Sequence, residues 1–434
     1  MRVAFALASA LIAWTYAVFP LATLLRGWLR PRPVAAGAFL PDVTVIAAAH
    51  DEEASIGPRV ANLLALDYPA DRLELVVASD GSADRTVENA RSAGPQVVVL
   101  DLPRVGKAAA LEAAVHASRG SILVFTDANS AFDPGAIRAL VRPFADPSVG
   151  GVAGNQVYLP AAGPEGSAPG ERGYWTIDRA LKEAEAAAGS VVSATGGIYA
   201  IRRELFSPIP EGLTDDFHET LAVVAHGRRF VFAPGAIAWE PVAPSSRLEY
   251  GRKVRVMVRG LRCVAHWRPL LSPARTGWFG LALFTRKVLM RTMAAPLLVL
   301  LGSSVALGRR SRLHAAVAVG GVSILGLGAA GLVAENRDKP VPRLFALPAY
   351  FCLVQVASLH ATWLLLRGRR IDRWRPSRDV AAGGRAIDVR PAALVGRVTV
   401  AAMPADEGAV PAGTAPASRG AGAAAAPLAA RLEP

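Results

Sequence analysis

Long apolar runs at both ends of the chain constrain its fold more than any other feature of the sequence. The first run, Val3 to Leu25, is long enough to cross the ~30 Å hydrocarbon core of a bilayer. Three more runs of this kind lie in the last third of the chain: Val288 to Leu307, Leu313 to Ala334 and Leu344 to Leu366. The sequence therefore predicts a transmembrane anchor at residues 1–30 and about three transmembrane helices within residues 288–366.

Arginines beside these runs indicate the orientation of the chain. Arg26, Arg30 and Arg32 directly follow the first run, and no small-residue cleavage site is evident, which predicts an uncleaved signal anchor. The positive-inside rule then places the central residues in the cytoplasm, as in a multi-pass protein of the plasma membrane. The formal net charge of +13 comes almost wholly from arginines, and their position favours anionic membrane lipids over nucleic acid as a partner.

Residues 31–244 have a different sequence pattern, in which short β-rich runs alternate with amphipathic helical stretches. This alternation predicts a doubly wound α/β domain with a parallel sheet. The predicted strands are Val43 to Ala49, Leu73 to Ser79, Gln96 to Leu100, Ile122 to Thr126, Gly150 to Leu159 and Arg229 to Ala238. The predicted helices include Ile56 to Leu66 and Lys107 to Ala117, and the Gly/Pro-rich stretch from Pro160 to Gly173 predicts a loop.

Residues 245–287 are predicted to form interfacial amphipathic helices, because the arginines at 252, 255, 259 and 262 would share one helix face. Residues 367–434 are first basic and then rich in Ala, Gly and Pro, which predicts a disordered tail. A cytosolic domain followed by three spans would put this tail outside, whereas five arginines favour the inside: Arg367, Arg369, Arg370, Arg373 and Arg375. Either Val288 to Leu307 does not cross, or the charge rule fails here.

Four polar clusters lie where an open α/β sheet binds its ligands, at the carboxyl ends of strands and in the loops after them. They are His50-Asp51-Glu52-Glu53, Ser79 to Asp84, Thr126-Asp127-Ala128-Asn129 and Thr214-Asp215-Asp216-Phe217. The first two clusters suit hydrogen bonds to a ribose or a base, although helix caps and turns would use the same residues.

The other two clusters predict more specific chemistry. Oxygen atoms of Asp127 and Asn129 suit Mg²⁺ or Mn²⁺ held jointly with a diphosphate. The adjacent carboxylates of Asp215 and Asp216 can supply a general base, particularly if their mutual repulsion raises one pKa. The same two charges would also suit the N-terminal end of a helix, where they face its dipole. Gly106-Lys107, at a predicted helix start, suits contact with a phosphate.

The order of these motifs resembles the inverting family 2 glycosyltransferases of the GT-A fold. The resemblance is to the membrane-bound branch with the chitin-oligosaccharide, poly-N-acetylglucosamine, hyaluronan and cellulose synthases, and it runs from about Val43 to Leu261. It implies that the nucleotide-sugar donor contacts Asp51, Glu52, Glu53, Asp80, Gly106, Lys107, Asp127 and Arg255. It also implies a divalent cation, Mg²⁺ or Mn²⁺, at Asp127 and Asn129, where the family has a second aspartate in place of Asn129.

The same resemblance assigns the acceptor side. It implies that Asp216 is the catalytic base of a Thr-Glu-Asp motif whose middle residue here is Asp215, and that Gly196 and Gly197 form the acceptor-side turn. The family's Gln-x-x-Arg-Trp motif corresponds here to Arg252 to Val256, without the tryptophan, which favours the addition of one or a few sugars. The implied function is sugar transfer, with a UDP-sugar as donor, to a hydroxyl of a glycan or lipid-linked acceptor at the cytosolic membrane face, in polysaccharide or glycolipid synthesis.

Other functional classes fit less well. Gly106-Lys107 lacks the remainder of a P-loop, and His218-Glu219 lacks the second histidine of a zinc peptidase. Gly326 to Gly331 fits the glycine pattern of a dinucleotide site, but it lies inside an apolar run, where glycines permit close helix packing. The two cysteines exclude a disulfide framework. Two alternatives stay open: a transferase acting on polyprenyl phosphate, and a non-catalytic membrane scaffold or transport protein. Against transport, the centres of the apolar runs carry no ionisable residue apart from His360. His360 is predicted to be hydrogen-bonded within the helix bundle rather than to carry a substrate.

Overall fold

A computed structural model describes residues 1–35, 37, 39–159, 168–241, 246–337 and 341–369 of the chain. The strands are β1 Val43–Ala49, β2 Leu73–Asp80, β3 Val97–Leu102, β4 Ile122–Asp127, β5 Ala131–Phe132, β6 Val149–Leu159, β7 Tyr199–Arg202 and β8 Arg229–Pro241. The predicted tail from residue 370 onward, and residues 160–167 of the predicted loop, lie outside the described residues.

The helices fall into a domain set and a hydrophobic set. The domain helices are α3 Glu53–Leu64, α4 Thr86–Arg91, α5 Lys107–Ala117, α6 Ala136–Val141, α7 Ala168–Ala188 and α8 Asp215–Ala225. The others are α1 Arg2–Ala13, α2 Phe19–Leu29, α9 Ser246–His266, α10 Pro273–Thr276, α11 Trp278–Leu283, α12 Ala294–Leu307, α13 Arg312–Glu335 and α14 Arg343–Leu366. Since α7 begins at Ala168, the loop predicted for Pro160 to Gly173 ends earlier than expected.

Within the described residues, eight strands form one sheet in the order β3-β2-β1-β4-β7-β6-β8-β5. Strands β3, β2, β1 and β4 are parallel, as predicted, but β7 runs antiparallel to both β4 and β6, and β5 runs antiparallel to β8. The predicted parallel sheet is thus confirmed for these four strands and is wrong for β7 and β5. The cause is β7, a short strand that directly follows a glycine turn and enters the sheet from the opposite end.

The parallel half of the sheet gathers the ends of its strands at one edge. Strand β1 is buried along its whole length, as expected for an apolar strand covered on both faces. Its pairing sets Ala49 beside Ser79 of β2 and Ala48 beside Asp127 of β4. The polar residues that follow these strands are consequently neighbours.

Three helices in the described part of the chain are long and apolar enough to cross a membrane: Arg2–Leu29, Arg312–Glu335 and Leu344–Leu366. The first joins α1 to α2 through a π-helical turn at Trp14–Val18. A fourth candidate is the bent pair, Trp278–Thr292 and Ala294–Arg310, whose two helices meet at 58°. The run predicted at Val288 to Leu307 is thus the second half of a broken element rather than a straight span.

The bent pair runs antiparallel to the N-terminal helix. The ring of Phe19 stacks on that of Trp278 at 5.8 Å, and Trp14 Nε1 donates to Thr285 Oγ1 at 3.1 Å. Phe5 meets His314, just beyond the end of the pair, with the ring centres 4.5 Å apart. The pair therefore extends along the N-terminal helix from its domain end to its free end.

The arginine-bearing helix predicted after Ser245 is α9, and it packs against α14. Val254, Met257 and Val258 of α9 form an apolar cluster with Ala357 and Ala361 of α14. The Tyr250 hydroxyl and His360 Nδ1 are 2.8 Å apart, which confirms the predicted hydrogen bond of His360. The second half of α14 therefore lies beside the helix that leaves the α/β domain.

A buried ion-pair cluster joins the bent pair to the domain. Arg286 Nη1 lies 2.8 Å from Glu185 Oε1, and the same guanidinium donates to Asp178, which also pairs with Lys182 at 3.1 Å. Burial opposes the ionisation of Asp178, but Lys182 and Arg286 outweigh it and lower the pKa of this carboxyl. Because the carboxylates are buried, each depends on its cation for compensation.

Replacing Arg286 tests this connection. Arg286→Ala leaves the Glu185 carboxylate buried and unpaired, and we expect a loss of about 3–5 kcal/mol in stability. The matched control is Arg179→Ala, whose pair with Glu183 is half exposed and should contribute less than about 1 kcal/mol. Thermal unfolding of both variants in detergent measures the difference, and equal transition temperatures would contradict the structural role of Arg286.

Candidate active site

The first two polar clusters interlock at the carboxyl ends of β1 and β2. Asp51 has a φ of 52°, in the left-handed region, and its Oδ1 accepts a hydrogen bond from the Ala83 amide at 2.9 Å. Its own amide donates to Ser82 Oγ at 3.1 Å. The amide of Glu53 donates to Asp84 Oδ2 at 3.1 Å. The two loops thus form a single polar surface.

Glu52 is held within the same surface. Its amide donates to Thr86 Oγ1 at 2.7 Å, and its carboxylate accepts a hydrogen bond from the Ser55 hydroxyl. Burial raises the pKa of Glu52, and the negative charges of Asp127 and Asp84 add to the rise. The carboxylate therefore faces the same cleft as the third cluster.

Asp80 shapes the turn before α5. Its side chain is fully buried, and its Oδ1 accepts hydrogen bonds from the amides of Val105 at 2.7 Å and Gly106 at 2.8 Å. Its Oδ2 accepts from Arg104 Nη1 at 3.0 Å. Gly106 has a φ of 91°, a conformation that favours glycine. Asp80 thus lies behind the turn that presents Lys107, and direct contact with a nucleotide stays a prediction.

Lys107 brings the third and fourth clusters together. Its ammonium lies 2.9 Å from Asp127 Oδ1, at the end of β4, and 3.0 Å from Asp215 Oδ2, at the start of α8. Burial opposes the charge of Lys107, but the two carboxylates outweigh it and raise the pKa of the ammonium. In this structure the ammonium is bound between two carboxylates. The phosphate contact of Lys107 therefore stays a prediction.

The glycine turn that precedes β7 covers Asp127. Thr126 Oγ1 donates to the Gly197 carbonyl at 2.8 Å, which ties the turn to the end of β4. A Cβ at Gly196 would lie 3.3 Å from Asp127 Oδ2, and one at Gly197 would lie 2.8 Å from Glu240 Oε1. At Gly197 the backbone therefore approaches a carboxylate more closely than a side chain would allow.

Glu240, at the end of β8, was missed by the sequence analysis. Its carboxylate accepts hydrogen bonds from Ser130 Oγ at 3.0 Å and from the Gln156 amide. Burial, together with the charge of Asp127, raises the pKa of Glu240 to about 7. The only available signal was its position after a predicted strand, since no recognisable motif surrounds it.

Asp216, the predicted base, lies in the first turn of α8 beside Asp215. Burial raises the pKa of Asp216 to about 6, the charge of Asp215 adds to the rise, and Lys287 and Lys107 oppose it. Burial raises the pKa of the Tyr199 hydroxyl, and the charges of Asp215 and Asp216 add to the rise. A carboxyl with this pKa can accept a proton near neutral pH.

Two arginines of α9 border the cleft and differ in the partners of their guanidinium groups. Arg252 is bound by Glu249 through two hydrogen bonds of 2.7 and 2.9 Å. Arg255, by contrast, has no ion pair or hydrogen bond among the residues that the structure covers. Burial lowers the pKa of Arg255, Arg259 and Arg252 lower it further, and Asp127 opposes them. The charge of Asp127 thus acts on Arg255. The N–H donors of the Arg255 guanidinium make no hydrogen bond to the described residues.

The protein supplies few ligands for a metal ion in this cleft. Over the described residues, no group of three or more His, Cys, Asp or Glu side chains has the arrangement to hold one. The predicted pair, Asp127 and Asn129, lies at the end of β4, and the Asn129 amide makes no hydrogen bond within the described ranges. The side-chain oxygens of Asp127 and Asn129 fit a hard divalent cation that takes its remaining ligands from a bound substrate.

Arg59 is a second residue that the sequence analysis missed. It is buried in α3, where its Nη2 donates to Thr126 Oγ1 at 2.6 Å and its Nη1 donates to Asn62 Oδ1 at 2.7 Å. Asn62 in turn bonds both the amide and the carbonyl of Phe132. Arg59 and Asn62 therefore hold both ends of the loop that carries Asp127 and Asn129. Burial lowers the pKa of Arg59 to about 9.

Comparison with known proteins agrees with this geometry. Residues 41–260 match the family described as glycosyltransferase like family 2. A probable glycosyltransferase of Bacillus subtilis, YdaM, is 26% identical over 241 residues, which cover 50% of this chain and 54% of the relative. An N-acetylglucosaminyltransferase of Rhizobium meliloti is 27% identical over 232 residues, covering 49% and 54%. The chain thus spans about half the length of the curated relatives it matches.

A solved structure extends the likeness beyond the α/β domain. A mannosyltransferase of Pyrobaculum calidifontis, solved with GDP-Man and Mn²⁺, matches with a TM-score of 0.63 at 23% identity. The match covers 84% of this chain and 99% of that one, and it identifies the mixed sheet and its helices as a GT-A fold. With a family match over half of its length and this fold, the chain belongs to the family 2 glycosyltransferases.

Proposed function

We propose that this protein is an inverting glycosyltransferase that moves a sugar from a nucleotide-sugar donor, a UDP-sugar, to a hydroxyl of a glycan or lipid-linked acceptor. The observation that carries the proposal is the bridge of Asp127, Lys107 and Asp215, with Asp216 directly beside it. This arrangement unites a cation-binding carboxylate and a proton-accepting carboxylate in one cleft. The names of the rhizobial relatives support a sugar donor of the hexosamine type.

Asp216 is the base of the proposed reaction. It takes the proton of the acceptor hydroxyl while the acceptor oxygen bonds to the anomeric carbon of the donor. The bond between that carbon and the diphosphate oxygen breaks in the same step, and the electron pair leaves with the nucleoside diphosphate. Attack from the face opposite the leaving group inverts the anomeric centre. The raised pKa of Asp216 supports this role, because the carboxylate remains basic enough to accept the proton.

Arg255 and the Asp127 loop serve the donor. The guanidinium of Arg255 has donors to spare and can bind the diphosphate, a contact for which arginine is well suited. Asp127 and Asn129 would hold a divalent cation together with the diphosphate, and such a cation neutralises charge on the leaving group. The neighbour solved with GDP-Man and Mn²⁺ supports both a nucleotide sugar and a divalent cation here.

The cytosolic face of the plasma membrane is the proposed site of action. Arg26, Arg30 and Arg32 lie where the N-terminal helix meets the domain, which supports a cytosolic domain. A product of polysaccharide or glycolipid synthesis would be made there.

The proposed function is tested by measuring nucleoside diphosphate release from a panel of UDP- and GDP-sugars by purified protein with glycan and lipid acceptors. Turnover of one donor, with the sugar recovered on a hydroxyl of the acceptor, supports the proposal. A sugar recovered on polyprenyl phosphate would favour the alternative transferase, which needs no hydroxyl deprotonation. No turnover of any donor by folded protein would favour a non-catalytic membrane scaffold.

Asp216→Asn keeps the shape of the side chain and removes the base. We expect kcat to fall by about 10²–10⁴-fold, the usual contribution of a general base, while donor affinity changes by less than about threefold. Donor binding and turnover are measured in parallel. Glu211→Gln, at an exposed position, is the matched control and should retain activity. Unchanged turnover in Asp216→Asn would remove this residue from the mechanism.

The pH dependence of turnover follows from the pKa of Asp216. The base must be deprotonated, so kcat should rise about tenfold per pH unit below a pH of about 6 and reach a plateau above it. Lowering the pH protonates Asp216 and removes the active carboxylate, so kcat falls as the pH falls through the pKa. A pH–rate profile of the wild-type protein measures this limb. A profile flat from pH 5 to 8 would contradict the assignment.

Chelation tests the proposed cation. EDTA should abolish turnover, and Mg²⁺ or Mn²⁺ should restore it, since the diphosphate needs a counter-charge as it leaves. Asp127→Asn should raise the metal concentration for half-maximal activity by at least about tenfold. Asp101→Asn, at an exposed ion pair with Arg91, is the control and should leave that concentration unchanged. Full activity in EDTA would overturn the cation.

A further inference from the structure

One turn of the bent pair meets three separate parts of the molecule. Residues Phe284–Leu289 form a π-helical turn, a feature often found at functional sites. Thr285 accepts a hydrogen bond from Trp14 of the N-terminal helix, and Arg286 pairs with Asp178 and Glu185 of α7. The next residue, Lys287, lies with its Nζ 4.8 Å from the centre of the Phe217 ring. Lys287 is thereby directed to the residue that follows the proposed base.

Lys287 differs from its neighbour in its partners. Arg286 is fully engaged by carboxylates, whereas Lys287 has no ion pair or hydrogen bond within the described part of the chain. Its contact with Phe217 is a cation–π interaction, which returns less free energy than burying an ion costs. Asp178 and Asp216 supply negative charge in its vicinity, but neither forms an ion pair with it among the described residues, so its three N–H donors can still bind an anion.

Arg291 adds a second cation at the same ring. Its guanidinium carbon lies 5.9 Å from the centre of Phe217, on the face of α9 where Gly260 has no side chain. Any Cβ at Gly260 would overlap the Arg291 guanidinium, so the glycine makes room for it. Two basic side chains from the bent pair thus converge on the ring of Phe217, the residue that follows Asp216.

Lys107 and Lys287 approach the carboxylate pair from different parts of the fold. Lys107 is bound to Asp127 and Asp215, on the side of the sheet edge. Lys287 reaches the pair through Phe217, from an apolar element that adjoins the candidate membrane spans. On the same turn, Phe284 leaves 43% of its surface exposed. A charged group and an apolar surface therefore lie side by side next to the base.

We propose that Lys287 and Arg291 form an anion subsite that binds the phosphate of a lipid-linked acceptor. The inference rests on the proposed function and specifies its acceptor. The phosphate pairs with Lys287, the lipid chain lies along the bent pair near Phe284, and the sugar hydroxyl reaches Asp216. A charge-assisted hydrogen bond of this kind contributes enough to change acceptor affinity by an order of magnitude or more.

Three acceptor probes with the same terminal sugar test the subsite in the full-length protein in nanodiscs. The first carries the sugar on a prenyl diphosphate, the second on the same prenyl chain without phosphate, and the third on a methyl diphosphate without a lipid chain. We expect the first to have a kcat/KM at least about tenfold above each of the others. Preference for phosphate without regard to the chain would indicate a soluble phosphate acceptor and overturn the lipid assignment.

Substitution separates charge from structure. Lys287→Gln should lower the ratio of kcat/KM for the prenyl diphosphate probe to that for the phosphate-free probe by about tenfold or more, and Lys287→Arg should restore this ratio. Because Lys287 also opposes the rise in the pKa of Asp216, both values are compared at a pH about two units above that pKa, where the base is ionised in every variant. Arg275→Gln, which removes one exposed cation from α10, is the matched control and should change neither value.

Two outcomes would overturn the proposal in different ways. Equal use of the phosphate-bearing and phosphate-free lipid probes by the wild-type protein would remove the anion subsite and leave the proposed function intact. The same would follow if Lys287→Gln lowered both values equally. Absence of donor turnover with all three probes, and in donor hydrolysis, would instead remove the proposed function on which the subsite rests.

Discussion

The ammonium of Lys107 between Asp127 and Asp215 is the interaction on which the rest of the site depends. It joins the end of β4 to the start of α8, two elements that approach each other only in the folded domain. Without the cation, two partly buried carboxylates would repel each other across the cleft. The neighbouring Asp216 would also lose one of the two positive charges that oppose the rise of its pKa. A single side chain thereby controls both the shape of the site and its proton chemistry.

Local patterns in the sequence were sufficient for much of the fold. The apolar run from Val43 to Ala49 coincides with β1, and Lys107 to Ala117 coincides with α5, because buried parallel strands and amphipathic helices each have their own period. Strand β7 was missed because four residues are too few for a period to appear. Its antiparallel direction is determined by pairing with β4 and β6, which no local pattern records.

The site was predictable to the extent that its residues lie in recognisable motifs. Asp127, Asp215 and Lys107 do, and the structure brings them together. Glu240 and Arg59 do not, since one follows a strand in an ordinary context and the other lies within a helix. Their importance arises from what they meet across the fold: Glu240 meets Ser130 and Gln156, and Arg59 meets Thr126. Such relations depend on tertiary contacts, and the sequence supplies no spacing that encodes them.

The glycine turn before β7 has a consequence for how the cleft varies. At Gly196 and Gly197 the wall beside Asp127 and Glu240 is made of peptide groups, and an added methyl group at Gly197 would meet the Glu240 carboxylate. A peptide wall offers the same amide donors and carbonyl acceptors whatever residues surround it. Amino-acid substitution therefore has little scope to reshape that wall, and adaptation of this chain to another sugar has to proceed through the side chains around it, such as Gln156 and Tyr158, which hydrogen-bond each other at 2.9 Å.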